Sequence, residues 1–478
     1  MTDFDLVVLG GGTGNIVASA AADAGMDVAL VERDRLGGTC LNRGCNPSKK
    51  LIHRANVAET VRTAGEVGID ASLDGIAFEA IVADVTEQIT ATAEAKAERA
   101  REHEHLTFYQ CEGRFVDERT IEVDAEDGTE RIAGETVVLA GGSRPLVPDP
   151  IDGTDETPFL TSAEALRLSE RPDELVIVGG GYIAVEMGHF FGQMGTDVTI
   201  VGSGDVLADR EDPEIARQLT EAYRKKHDLR LGYRVNEIRK ERGERVVAAE
   251  SEDGDEQSSS SPHSASPRED GDEIEVTGDR LLIATGRQPN TDLWDVSAAG
   301  IKTTDRGFIE TDECLRTSVD GVYAIGDIAD NYMFKHSGDK EAEYVVENVV
   351  RGEETPVEYP GMAHAIFGSP QVGSLGKTED ELDDGYRVGR HAYDDTALGA
   401  ALRDEGGFAK VLVDDDGEIL GCHVVGPEAS TLIHEVSTAV AAGADAETVA
   451  ETIHVHPALP EVVQGAFRDV VDVAPSGI

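Results

Sequence analysis

Cysteine is scarce in this sequence: five in 478 residues, too few and too scattered for a disulfide framework. Tryptophan occurs once and lysine 11 times. No run of 18 apolar residues appears, so no membrane-spanning helix is expected. The opening MTDFDLVVLGGG has no basic stretch ahead of its apolar run, so no secretory signal is expected and the reading is cytoplasmic. The largest shortage is positive charge. Against 94 Asp+Glu stand 42 Lys+Arg, a formal net charge of −52. Such a field repels nucleic acid and anionic lipid, and neither is expected as a partner. Apolar residues still make up 40%, so the acids belong to a folded chain. In molar salt the Debye length falls to about 3 Å and surface repulsion is screened. The composition therefore reads as halophilic.

Two stretches share one pattern. Asp5–Leu9 reads as a strand, Gly10–Gly14 as a glycine turn, Ile16–Ala24 as a helix and Val28–Val31 as a second strand. About 170 residues later, Leu175–Val178, Gly179–Gly181, Ile183–Met194 and Val198–Val201 repeat it. Two βαβ starts predict two dinucleotide-binding domains. Between them Ala77–Glu104 reads as a helix, and Val137–Leu139 and Leu281–Ile283 as strands ending in glycine-containing exits. The polar, acidic stretch 253–273 reads as a disordered insertion loop. Near the end, Phe408–Val413 and Ile419–Val425 read as a hairpin and Ser430–Ala442 as a helix. The expected class is α/β with two Rossmann-like domains and a C-terminal α+β domain.

Gly10, Gly12 and Gly14 form the first fingerprint, with Asn15 where the usual pattern has a third-step glycine. Glycines let the backbone approach a pyrophosphate at the helix start. Glu32, 22 residues after Gly10, is placed to accept from a ribose hydroxyl. Next comes Gly37-Gly38-Thr39-Cys40-Leu41-Asn42-Arg43-Gly44-Cys45-Asn46-Pro47-Ser48-Lys49. Four residues separate the cysteines, and no second pair offers a zinc site. At a helix start, two sulfurs so spaced can close a small ring, and the helix terminus favours a thiolate. A dithiol directly after a dinucleotide fingerprint reads as a redox relay.

This segment resembles the active-site segment of the flavoprotein pyridine nucleotide-disulfide oxidoreductases. Three further stretches carry the resemblance in the right order: Ala284-Thr285-Gly286-Arg287-Gln288-Pro289-Asn290, Ala324-Ile325-Gly326-Asp327, and His456-Pro457-Ala458-Leu459-Pro460-Glu461. The resemblance implies FAD in the first domain, with Gly10, Gly12, Gly14, Glu32, Thr39, Lys49, Gly113, Gly286 and Asp327 among its residues. It implies NADPH or NADH in the second, at Gly179, Gly181 and Ala184. It pairs Glu186 with Lys49 beside the flavin, and makes Cys40 and Cys45 the redox disulfide. It implies a homodimer with shared active sites. The domains then run 1–148 (FAD), 149–280 (NAD(P), with the loop 253–273), 281–350 (a return segment completing the FAD region) and 351–478 (dimerisation). No metal site is expected. A disulfide reductase must protonate a leaving thiolate, which suits His456, and Glu461 five residues on can hold its tautomer. His454 is read as a packed histidine.

Within the family, Gly-Thr-Gly-Asn in the first turn, Tyr332-Met333-Phe334-Lys335-His336 and the His-Pro-Ala-Leu-Pro-Glu ending resemble mycothione reductases. Together with the saline composition they point to the haloarchaeal bis-γ-glutamylcystine reductases. Dihydrolipoamide dehydrogenase is the alternative. Mercuric reductase fits less well, since no C-terminal cysteine pair or N-terminal metal-binding domain is seen. The residue where an NADH enzyme would keep an acid is Gly202, which leans toward NADPH, with Arg210 the nearest arginine. Arg43, inside the dithiol loop, is a candidate contact for a carboxylate-bearing disulfide or else a partner of an acidic neighbour.

Overall fold

A computed structural model describes residues 1–125, 128–148, 151–251, 272–404, 406–471 and 473. The chain folds into two compact units. The first holds Met1–Lys50, Ala80–Leu146 and Gly286–Tyr359, and the second Leu51–Glu79, Val147–Thr285 and Pro360–Ile478. Most of the acidic stretch 253–273 lies outside the described residues. Among the described residues no helix is long and apolar enough to cross a membrane.

The first unit is built on a seven-stranded sheet. Strands Leu106–Tyr109, Val28–Val31, Thr2–Leu9 and Gly128–Leu139 lie in that order and run parallel, and Val322–Ala324 joins Gly128–Leu139 in parallel. Strands Thr120–Ala125 and Gly113–Asp117 extend the sheet antiparallel. Parallel strands covered on both faces read as continuous apolar runs. Leu6–Leu9 and Val28–Val31 are such runs, and all eight residues are buried. Alternation divides them. Leu6 and Val8 face a cluster with Val17, Ala18, Ala21 and Ala22 of the helix Gly14–Asp23. Val7 and Leu9 face Phe115, Ile121, Val123 and Ile328. The expected strand Val137–Leu139 is the end of a twelve-residue strand whose first half pairs with Thr120–Ala125.

The second unit repeats the parallel theme with Asp228–Leu231, Asp197–Gly202, Glu174–Val178 and Arg280–Ile283 in that order. The helix Tyr182–Gln193 follows Glu174–Val178. Tyr233–Glu241, Glu244–Ser251 and Glu273–Gly278 form an antiparallel sheet. The expected hairpin, Phe408–Asp414 with Ile419–Gly426, is the centre of a five-stranded antiparallel sheet. Helices Ala429–Ala441, Ala446–Glu451 and Pro460–Val470 bury Leu432, Ile433, Val449, Val463 and Phe467 in its core.

A row of polar residues crosses that sheet. His364 pairs with Ser374, Ser374 with His423, His423 with Lys410, and Lys410 with Arg390, one residue from each strand. Opposite stands the acidic turn at the start of the helix Pro213–Arg224. Glu211 accepts from Ser374 and lies 2.7 Å from His364 Nε2. Asp212 takes Lys410 Nζ on both oxygens at 2.8 Å, and Glu379 takes it at 2.5 Å. Lys410 and Asp212 are both 0% exposed. Burying two charges costs several kcal/mol per ion unless each is fully paired, and here each is.

Candidate active site

The turn after Thr2–Leu9 is compressed against its neighbours. Gly10 has φ +105°, and a Cβ there would stand 2.2 Å from the Ala140 carbonyl oxygen. A Cβ on Gly38 would stand 2.6 Å from Gly12 Cα, so the glycine turn and the dithiol segment meet backbone to backbone. The helix Gly14–Asp23 starts without a side-chain cap and without an acid in its first turn. Beside it Glu32 accepts from Gly11 N–H and Asp34 N–H, both at 2.9 Å. An uncapped helix start answers a pyrophosphate, and an adjacent carboxylate answers a ribose hydroxyl, so these residues fit a dinucleotide. Gly113 opens an edge strand and packs on Val31, next to Glu32 in sequence.

Asp327 follows the strand Val322–Ala324. Ser143 Oγ donates to it, and Arg287 Nε lies 3.7 Å from its carboxylate and donates to Ser143 at 2.7 Å. Gly286 precedes Arg287 and accepts from Leu146 N–H at 2.9 Å. Sequence reasoning missed Glu341. It is fully buried, and it accepts from Gly326 N–H and from the Tyr359 hydroxyl, each at 2.6 Å. Burial pushes its carboxyl above the usual range despite those bonds. It supports the backbone of Gly326 beside Asp327 as Glu32 supports Gly11. An acid on an amphipathic helix carries no local signal for such a role.

Cys40 lies in the short helix Gly38–Arg43 with Thr39, and Cys45 opens the helix Cys45–Thr63 beyond Gly44. Both are thiols, Cys40 half-buried and Cys45 exposed. A hydrogen bond with Cys45 pushes the Cys40 thiol well above its ordinary range, and burial adds to the rise. The charge of Lys335 pulls the other way. Cys40 Sγ also lies 3.8 Å from Asn46 Oδ1. Lys49 stands one helical turn beyond Cys45, on the same face. Arg43 is paired with Asp34, so the acidic neighbour takes the guanidinium that sequence reasoning offered to a substrate.

The second glycine turn reproduces the first. Gly179 N–H donates to Val201 O at 2.8 Å, as Gly10 N–H does to Val31 O. Ala284 N–H donates to Val178 O at 2.7 Å, as Ala140 N–H does to Leu9 O. By this correspondence Gly202 occupies the place of Glu32. The helix Tyr182–Gln193, begun at Gly181, also lacks a side-chain cap and an acid in its first turn. These residues fit a second dinucleotide. Ala184 and Glu186 are buried in that helix, and Glu186 accepts from Phe367 N–H at 3.2 Å. Arg210 is exposed in the turn before Pro213–Arg224.

His456 and Glu461 come together. His456 Nδ1 lies 2.9 Å from Glu461 Oε1, and Ala458 N–H donates to Glu461 Oε2 at 2.9 Å. Burial opposes ionisation of Glu461, but these bonds, the charge of His456 and then that of His454 hold its carboxyl below the usual range. The carboxylate keeps the proton on Nδ1 and leaves Nε2 to exchange one. His456 is 60% exposed at its side chain, and its neighbours Ile453 and Val455 are 96% and 76% exposed. Among the described residues no group of three or more His, Cys, Asp or Glu side chains could hold a metal ion.

Residues 4–347 match the family described as pyridine nucleotide-disulphide oxidoreductase, and residues 362–467 match its dimerisation domain. A dihydrolipoyl dehydrogenase of Haloferax volcanii is 34% identical over 99% of this chain and 97% of its own. A mycothione reductase of Mycobacterium tuberculosis is 33% identical over 98% and 99%. Among solved structures, the HOCl-induced flavoprotein disulfide reductase RclA from Escherichia coli superposes with a TM-score of 0.82 at 25% identity, covering 97% of this chain and 99% of that one.

Proposed function

The chain belongs to the pyridine nucleotide-disulphide oxidoreductase family, and from that premise we propose that it reduces a small disulfide with NADPH through Cys40 and Cys45. The family uses FAD and NAD(P)H and acts on sulfur groups. The observation that carries the proposal is the placement of Cys40 and Cys45 on either side of Gly44, at the start of the helix Cys45–Thr63, in the unit that holds the first glycine turn. Gly10, Gly12, Gly14, Glu32, Thr39, Lys49 and Asp327 would hold FAD, and Gly179, Gly181 and Ala184 the nicotinamide nucleotide. Bound FAD supplies the two-electron link between NAD(P)H and the Cys40–Cys45 disulfide.

The chain's own part is thiol chemistry. His456 Nε2 takes the proton of the Cys40 thiol, while Glu461 stabilises the charge on the ring. The thiolate attacks one sulfur of the substrate, the substrate disulfide breaks, and the leaving thiolate takes that proton back from His456 Nε2. Cys45 then attacks Cys40, its own proton passes to the departing sulfur, and the second thiol leaves as the Cys40–Cys45 disulfide closes. One substrate disulfide becomes two thiols, and the enzyme dithiol becomes a disulfide. His456 of one copy serves Cys40 of the other. The match to a dimerisation domain and the exposed Ile453 and Val455 beside His456 support that sharing.

The proposed substrate is bis-γ-glutamylcystine. The features shared with mycothione reductases support it, and Gly202 in the place of Glu32 supports NADPH. Arg43 lends no support, because Asp34 holds it. A second reading, dihydrolipoyl dehydrogenase with NAD, is favoured by relatives of that name from Haloferax volcanii and Halobacterium salinarum. Oxidation of NADPH and NADH in molar KCl, with bis-γ-glutamylcystine, lipoamide and glutathione disulfide in turn, separates the two. Faster turnover of lipoamide with NADH than of the γ-glutamylcysteine disulfide with NADPH would establish the second.

A further inference from the structure

Two residues before His456, His454 is 6% exposed at its side chain and bonded at both ring nitrogens. Nδ1 lies 2.9 Å from the Thr452 carbonyl oxygen, and Nε2 contacts the Glu435 carboxylate. A carbonyl oxygen can only accept, so Nδ1 carries a proton. Nε2 faces a carboxylate, which favours a proton on that nitrogen and holds the ring above its ordinary range. Both nitrogens are therefore protonated, and the ring is a cation. Because each nitrogen faces an acceptor, the ring orientation is fixed as well.

The surroundings give that cation a use. Glu435 stands on the helix Ala429–Ala441, and Gln464 Nε2 donates to the same Thr452 oxygen at 2.6 Å. The side chain thus ties the segment carrying His456 to one helix, and Gln464 ties it to another. Glu461 and Arg468, from the helix Pro460–Val470, are the other charged groups that feel the ring. Arg468 opposes its charge, and Glu461 gains from it.

We propose that His454 is a positioning residue for the acid–base pair: an imidazolium clamped between Glu435 and Thr452 that fixes the segment bearing His456 and keeps a positive charge beside Glu461. The proposal rests on the reading of His456 as the group that protonates the leaving thiolate. Without that charge, Glu461 takes up a proton at higher pH and lets go of His456 Nδ1–H.

The test uses the FAD-loaded dimer in molar KCl, comparing wild type with His454→Gln, Glu435→Gln and His456→Asn. FAD content and melting temperature identify variants that fail to fold. The readout is the pH dependence of kcat/KM for disulfide reduction, with nitrogen NMR of 15N-histidine-labelled wild type counting doubly protonated rings. In His454→Gln the acid limb should move up by roughly half to one pH unit, the low end for loss of a neighbouring opposite charge. Glu435→Gln should move it the same way by less, and in wild type one ring should stay doubly protonated to higher pH than the others. A limb that does not move, with activity lost equally at all pH values, would overturn the proposal, as would the loss of every doubly protonated ring together as the pH rises. If His456→Asn turns over like wild type, the acid–base reading fails and this proposal falls with it. If His456→Asn is inactive while His454→Gln keeps the wild-type limb, this proposal alone fails.

Discussion

Replacing Gly202 with glutamate should shift the nucleotide preference toward NADH. The first domain shows what a carboxylate does in this place: Glu32 Oε2 accepts from Gly11 N–H at 2.9 Å, beside the start of a helix. At Gly202 a Cβ would stand 3.5 Å from Gly180 Cα and 3.1 Å from Leu231 Cδ2. The first contact is ordinary, and the second is with the end of a flexible side chain that can yield a few tenths of an ångström. The new carboxylate would then face the second glycine turn as Glu32 faces the first. With NADH it gains a charge-assisted hydrogen bond to ribose, worth about 1.5–3 kcal/mol. With NADPH it meets a phosphate of like charge, at a cost of roughly 1–2 kcal/mol in molar salt. The ratio of kcat/KM for NADPH over NADH should therefore fall by about 10²- to 5 × 10³-fold. The assay is steady-state oxidation of each nucleotide with one fixed disulfide, FAD content being matched between wild type and Gly202→Glu. An unchanged ratio in a folded, flavin-loaded variant would refute the equivalence of Gly202 and Glu32.

Three other outcomes follow from the same geometry. Lys410→Met should destabilise the protein by about 3–5 kcal/mol in denaturant titration, because Asp212 is left buried without its cation, and adding Asp212→Asn, which removes the charge but keeps an acceptor for the Glu214 N–H, should recover part of the loss. Burial holds His189 neutral down to about pH 4, with Asn56 2.7 Å from its Nε2. The unfolded chain binds that proton near pH 6.5, so stability should fall from pH 6.5 toward 4, by at most about 3 kcal/mol, and His189→Gln should flatten the slope. Refolding a mixture of Cys40→Ser and His456→Ala chains should restore about a quarter of wild-type activity, since one site in four unites two intact halves. No recovery from folded heterodimers would refute shared sites.

The parallel strands and glycine turns were legible because each is a local pattern: an apolar run, then glycines, then a helix of small residues. The dithiol and His456–Glu461 were legible for the same reason, since each pair lies within six residues in sequence. What stayed hidden depends on partners distant in the chain. Thr120–Ala125 alternates polar and apolar residues and becomes sheet only by pairing with Gly128–Leu139, and Gly113–Asp117 only by pairing with Thr120–Ala125. Lys410 interrupts an apolar strand as a surface lysine would, and its burial follows from Asp212, 198 residues away. Glu341 and Glu435 look like ordinary acids of amphipathic helices until Gly326 and His454 are set against them. His454 was read as packed, which its low exposure matches, but its two acceptors were invisible without Glu435 and the turn at Thr452.

Differential alkylation of the native, FAD-loaded enzyme tests the central claim most directly. The enzyme is treated with iodoacetamide before and after one equivalent of NADPH per FAD, and the labelled peptides are mapped. The account predicts that Cys40 and Cys45 are both protected beforehand and both labelled afterwards. Cys111, half-buried, and Cys314 and Cys422, buried, should label to the same extent in both samples. Equal labelling of Cys40 and Cys45 with and without NADPH would contradict a redox disulfide at this site.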